Sequence, residues 1–150
     1  MNIYDGDPRL AIPQVITAFN VHRDRNELDE MLSVCTNDFR LKGKDHDLDI
    51  PTIRKVWGGM KETGKVFAHI RSGLHFVELT DTTASTIGMG LFYAAEAGED
   101  GAPAMLDHPI NVTEYHERFV KTDAGWKLQH RLSVETMRNL PPNWPKSAKR

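Results

Sequence analysis

The hydrophobic pattern changes character partway along the chain. Apolar residues recur at helical spacing up to about residue 60 and at alternating spacing from about residue 66 onward. Ile12, Val15, Ile16, Ala18 and Phe19 predict a helix over about 12–22, with Pro13 tolerated in its first turn. Leu28, Met31, Leu32 and Cys35 predict a second helix over about 25–35. Ile53, Val56, Trp57 and Met60 predict a third over about 51–60, ended by Gly58, Gly59 and Gly64. Residues 1–10 read as an irregular arm, Asp38 to Leu41 as the approach to a short strand, and the charged stretch 42–49 as a turn.

Four extended segments follow, at about 66–79, 83–96, 109–121 and 125–136. Thr80-Asp81-Thr82 and Thr122-Asp123-Ala124-Gly125 supply hairpin turns, and Gly98 to Pro103 reads as a longer loop. The last strand is predicted to put Trp126, Leu128, His130, Leu132 and Val134 on one face. Lys127, Gln129, Arg131, Ser133 and Glu135 fall on the other. Gly88 and Gly90 read as positions that let the third of the long sheet's strands bend. The tail, 138–150, contains Pro141, Pro142, Trp144 and Pro145 and fits neither a regular helix nor a central strand. Helices followed by an antiparallel meander define an α+β domain, and a strongly curved sheet would enclose a pocket.

Composition narrows the class. The chain of 150 residues is long enough to bury its own core as one domain spanning 1–150. A hydrophobic share of 39% beside a charged share of 27% marks a globular sequence rather than a disordered one. With 19 Lys and Arg against 21 Asp and Glu, and its one basic cluster at the terminal Lys146–Arg150, no nucleic-acid surface is expected. Cys35 is the single cysteine, so neither an intrachain disulfide nor a thiolate zinc cluster can form. Its neighbours suggest a buried thiol on a helix face. No stretch reaches signal-peptide or membrane-spanning character, which makes the cytoplasm the expected location.

Asp24 admits two readings. Asp24-Arg25-Asn26-Glu27 has the spacing of a capping box, a role worth about 1 kcal/mol. The same carboxylate could instead orient a catalytic histidine. An imidazole in an apolar pocket can take and return a proton near working pH, and a carboxylate on its other nitrogen fixes the tautomer and stabilises the imidazolium. The chain has seven histidines, and His75, His108, His116 and His130 all compete for that role. His116 and His130 could also pair across the last hairpin.

Three stretches carry a family resemblance. Asp24 to Asp38 resembles an Asp-x-x-Asp-Trp-Asp-x-Leu helix ending in an acidic residue. Phe67-Ala68-His69-Ile70-Arg71-Ser72-Gly73 is similar to a His-x-x-Ser/Thr-Asn/Gly strand opening, and Tyr115 to Leu128 resembles a closing hairpin with Gly125 and Trp126. Together they resemble the SnoaL-like, nuclear-transport-factor-2-like superfamily, and within it the scytalone-dehydratase-like branch. The resemblance implies a cone-shaped cystatin-like α+β barrel, with a curved sheet wrapped around three N-terminal helices.

In that branch a catalytic Asp and His occupy positions that fall here on Asp24 and His69. The resemblance further implies substrate contacts from Thr113 and Tyr115, which share a strand face with Asn111. Trp57 and Phe92 are candidates to line the pocket, with Met60 and Met89, although apolar residues at these spacings also serve as plain core. Positions that activate the substrate in the dehydratases correspond here to Gly43 and a residue near Ala94, so the substrate-reading shell differs. Arg71 could hold an anion, but reads more simply as an exposed strand charge. The implied activity is that of a cofactor-free, metal-free lyase acting on a cyclic or aromatic hydroxy-ketone. The alternatives are a polyketide cyclase or steroid-type isomerase, and a non-catalytic binding or dimerisation module. The implied partners are a small hydrophobic substrate and other copies of the chain, as a dimer or trimer, with neither nucleic acid nor membrane.

Overall fold

The computed structural model describes residues 2–139; the Pro-rich tail with Trp144 lies outside the described residues. Helix α1 (Pro8–Asp24) begins at Pro8 rather than Ile12, because Asp7 caps it. The Asp7 carboxylate accepts from the Arg9 N–H at 2.9 Å, and Pro8 fills the first turn, where a missing N–H costs nothing. Pro13 therefore sits inside the helix rather than in its first turn. The arm is correspondingly short. Its Tyr4 carbonyl accepts from the Trp126 backbone N–H at 2.7 Å, and its Gly6 carbonyl accepts from the Trp126 indole at 3.3 Å.

The break after α1 falls two residues later than the capping-box reading requires. Asn26 takes a left-handed conformation with φ of 57°, which Asn tolerates better than most residues. The Glu27 N–H returns to the His22 carbonyl at 2.8 Å and the Asn26 N–H to the Arg23 carbonyl at 3.1 Å. These bonds close the helix as a Schellman-type cap does. Helix α2 (Leu28–Ser33) is shorter than predicted and starts at Glu27 without a side-chain cap. Cys35 is not on a helix face; it opens strand β1 (Cys35–Gly43), although its thiol is buried as expected. Burial pushes that thiol's pKa up to about 12.

The stretch expected to be a turn holds strand β2 (His46–Leu48). Helix α3 (Ile50–Trp57) is capped by Asp49, which accepts from the Thr52 N–H at 3.0 Å. Ile53 is its buried anchor; Val56 faces solvent, and Met60 belongs to a separate 3₁₀ turn. The remaining strands match the predicted segments closely: β3 (Lys65–Leu79), β4 (Thr83–Glu96), β5 (Asn111–Thr122) and β6 (Gly125–Arg138). Among the described residues they form one curved sheet in the order β2-β1-β6-β5-β4-β3. Neighbours run antiparallel except β1 and β6, which run parallel.

Helix α1 fills the concave side. Ile12, Val15, Ile16 and Phe19 pack with Met31, Phe39, Ile53, Phe119, Trp126 and Leu128 into the core. The strict alternation predicted for β6 does not hold. Leu128 pairs with Phe119 and His130 with Arg118, so Gln129 is an extra residue bulged out of the ladder. Beyond the bulge the faces exchange. Arg131, expected beside the outward residues, is buried opposite Glu117, and His130 is moved off the face shared by Trp126 and Leu128.

Candidate active site

Asp24 ends α1 and faces β3. Its Oδ2 accepts the His69 backbone N–H at 2.8 Å, and its Oδ1 lies 2.5 Å from His69 Nδ1. A carboxylate can only accept, so Nδ1 carries the proton and the lone pair is left on Nε2. Both side chains keep 18% of their surface exposed, so the pair is sheltered yet reachable. Asp24 therefore engages His69 and does not cap α2, which has no side-chain cap. Glu27, the other half of the expected capping box, bonds His22 Nδ1 at 2.6 Å.

Aromatic rings continue from the dyad. Phe92 is the cross-strand partner of His69, with ring centroids 4.7 Å apart, and Phe67 stacks on Phe92 at 6.0 Å. The Arg23 guanidinium lies 5.3 Å from the Phe67 ring and 4.2 Å from the Trp57 ring. Trp57 thus meets the site through Arg23. Burial lowers the Arg23 pKa, and the neighbouring Asp24 charge partly offsets that effect. A hollow of about 10 Å³, the volume of a single water position, lies among His22, Arg23, Asn26, Leu28, Met31 and Trp57. A larger hollow of about 270 Å³ opens at Pro109, Asn111, Val112, Met137 and Arg138. Neither is bounded by Asp24 or His69.

Deeper on the concave face the polar groups are charged. Arg71, predicted as an exposed strand charge, turns inward and reaches Glu117 with Nη1 at 3.3 Å and Nη2 at 2.9 Å. Arg131 Nε donates to the same carboxylate at 2.7 Å, while its Nη1 donates to Asn20 Oδ1 at 3.1 Å. Burial alone would raise the Glu117 pKa; the two guanidinium groups outweigh it and hold the carboxyl below its ordinary range. The Arg71 guanidinium also covers the Tyr115 ring at 4.1 Å, and burial raises the Tyr115 phenol.

Gly88 and Gly90 explain how Arg71 crosses β4 to reach β5. A Cβ on Gly90 would come within 2.8 Å of Tyr115 Cε2 and 3.1 Å of Arg71 Cδ, and one on Gly88 within 3.1 Å of Arg71 Nη2. These glycines make room for side chains, which is a different role from the predicted bend.

Tyr115 and Thr113 share the inward face with Asn111, as the strand period required. Thr113 Oγ1 donates to Asn111 Oδ1 at 3.2 Å, and Asn111 in turn donates to Glu135 at 3.0 Å. His116 and His130 do not pair: His116 lies opposite Leu132 and bonds Glu114 at 2.7 Å. Sequence reasoning passed over Arg23, Asn20, Glu117 and Arg131. Two signals were available for three of them. Asn20 and Arg23 continue the buried helical stripe of Ile16 and Phe19, and Glu117 falls on the inward stripe of Tyr115 and Phe119. Among the described residues no group of three or more His, Cys, Asp or Glu could hold a metal ion, and no helix is long and apolar enough to cross a membrane.

The sequence profile of the SnoaL-like domain family matches residues 7–132. The chain belongs to the SnoaL-like family. No curated protein matches its sequence. Solved structures resemble it at the level of the fold. A candidate scytalone dehydratase from Novosphingobium aromaticivorans has a TM-score of 0.70 at 20% identity, covering 86% of this chain and 84% of its own. A candidate dehydratase of the NTF2-like family from Streptomyces avermitilis has a TM-score of 0.65 at 14% identity, covering 84% and 94%. A protein of unknown function with a cystatin-like fold from Nostoc punctiforme has a TM-score of 0.66 at 17% identity, covering 91% and 93%.

Proposed function

We propose that the protein is a lyase of the dehydratase type, acting on a small cyclic or aromatic hydroxy-ketone with His69 as base and acid. The observation that carries this reading is the pair of hydrogen bonds from His69 to one carboxylate, through its backbone N–H and Nδ1, which leaves Nε2 free. A negative charge in the last turn of a helix opposes the helix dipole. Asp24 occupies such a place in α1, so its position serves the imidazole better than it serves the helix.

The step follows from these groups. Nε2 removes a proton from the carbon next to the substrate carbonyl, and the electron pair of the C–H bond moves into an enolate. Asp24 stabilises the imidazolium and keeps its ring oriented. The enolate then collapses, the C–O bond to the hydroxyl breaks, and the imidazolium returns its proton to the departing oxygen. The products are an unsaturated ketone and water. Phe92 supplies the flat apolar wall beside the imidazole, and Tyr115, on the inward face of β5, carries a phenol that can donate to a substrate oxygen.

The test is a panel of hydroxy-ketones followed by absorbance of the conjugated product, with loss of water read by mass spectrometry. His69→Gln and Asp24→Asn should each lower turnover by about 10²–10⁴-fold, the range of a positioned acid–base group. Unimpaired turnover in either variant overturns the mechanism, and an isomerised product of unchanged mass would favour the isomerase reading. We also infer self-association through the outer sheet face, where Val66, Ile70, Met89 and Val134 are exposed. A monomer in sedimentation at micromolar concentration would refute that assembly.

A further inference from the structure

The charges enclosed between α1 and the sheet do not balance. Arg71 and Arg131 share the single carboxylate of Glu117, while Arg23 has the adjacent Asp24 to offset it. One positive charge is left over. Tyr115 does not supply the missing anion, because burial favours its neutral phenol. Donors are left over as well: Arg71 Nε, Arg131 Nη2 and Asn20 Nδ2 are buried without a hydrogen-bond acceptor. Arg131 Nη2 approaches Glu117 Oε1 at 2.6 Å, but is not aligned for a hydrogen bond. A buried cation with unmet donors is costly unless an anion completes it.

The accessible edge of this cluster is Arg71. The Glu117 side chain is fully enclosed and that of Arg131 is 4% exposed, whereas Arg71 keeps 13%. Arg71 is also next but one to His69 on the same face of β3, a separation of about 6.6 Å along a strand. Its guanidinium is held in place from both sides, by Glu117 at its tip and by the Tyr115 ring against its plane. A planar guanidinium so fixed suits a planar carboxylate, which it meets with paired N–H donors.

We propose that Arg71 anchors a carboxylate of the substrate, so that the natural ligand is an organic anion with an apolar ring rather than a neutral ketone. The position of the reacting carbon near Nε2 rests on the dyad reading; the charge argument stands apart from it. The carboxylate would neutralise the excess charge and accept from Arg71, leaving the ring against Phe92 and His69.

Benzoate and benzamide, equal in shape and unequal in charge, are the probes, titrated calorimetrically into the full chain. Benzoate should bind at least about tenfold more tightly than benzamide, with an affinity that falls as salt is added. Arg71→Met should abolish that preference while leaving benzamide binding unchanged, and Arg71→Lys should retain part of it. Equal affinities in the wild-type chain overturn the proposal, whatever the folding of the variants. A preference that survives Arg71→Met in a folded chain overturns it too. His69→Gln separates the two readings: it should keep the benzoate preference while losing turnover. Loss of turnover without any anion preference leaves the dyad standing alone, and anion preference with unimpaired turnover leaves only Arg71.

Discussion

Replacing Glu117 by glutamine should destabilise the fold by about 3–5 kcal/mol, the usual consequence of removing one partner from a buried ion pair. The wild-type carboxylate is fully enclosed and takes donors at 2.9 and 3.3 Å from Arg71 and at 2.7 Å from Arg131. Each charge-assisted bond is worth roughly 1.5–3 kcal/mol, so three of them bracket the loss from above. Glutamine keeps one acceptor but turns an N–H₂ toward guanidinium donors, leaving two cations without an anion. In a chain of this size the melting temperature should fall by roughly 6–20 °C, at about 2–4 °C per kcal/mol. Urea unfolding at neutral pH, followed by tryptophan fluorescence and circular dichroism together, measures the difference directly.

The same group has a pH signature. Its folded pKa is depressed below the unfolded value, so its contribution is present above about pH 4.3 and is lost as pH falls through the folded value. The wild-type and Glu117→Gln stabilities should therefore converge in acid. A control removes all three charges: Arg71→Met, Glu117→Leu and Arg131→Met together should lie near the wild-type stability or above it. A single-variant loss below about 1 kcal/mol at neutral pH, or curves that stay parallel into acid, would refute the reasoning.

Two further outcomes test neighbouring features. Gly90→Ala places a methyl within 2.8 Å of Tyr115 and should lower stability by about 1–3 kcal/mol in urea unfolding; an equal loss in a Tyr115→Ala background would count against the contact. Burial, followed by the Lys42 charge, lowers the His130 pKa, so its neutral form stabilises the fold above about pH 6.5 and that contribution is lost as pH falls through the folded value. His130→Gln should flatten the stability profile below that pH, and an unchanged slope would sink the assignment.

The sequence was most legible where one period dominates. The four long strands and the inward stripe of Thr113, Tyr115 and Phe119 follow from alternation, and β3 to β6 fall close to their predicted bounds. It was least legible where one residue redirects many. Asn26 moves the helix break past Asp24, turning an apparent cap into the partner of His69. Local spacing held no trace of that, because the deciding contact joins residues 45 positions apart. Arg71 was misread for a related reason: what draws it inward is Glu117 on β5 together with the missing side chains at Gly88 and Gly90 on β4, and no local window contains all of these.

The bulge at Gln129 makes the chemistry of the last strand depend on whether one residue is counted in the ladder. With Gln129 set outside it, Leu128 and Arg131 both face inward although three positions separate them. Drawing Gln129 into the ladder without removing it would shift every later residue by one place, withdraw Arg131 from Glu117 and deliver His130 and Leu132 to the interior. Deleting Gln129 would instead leave Arg131 opposite Glu117 and remove only the bulge. The cationic interior is therefore indifferent to shortening at this point and sensitive to any change that flattens the strand there.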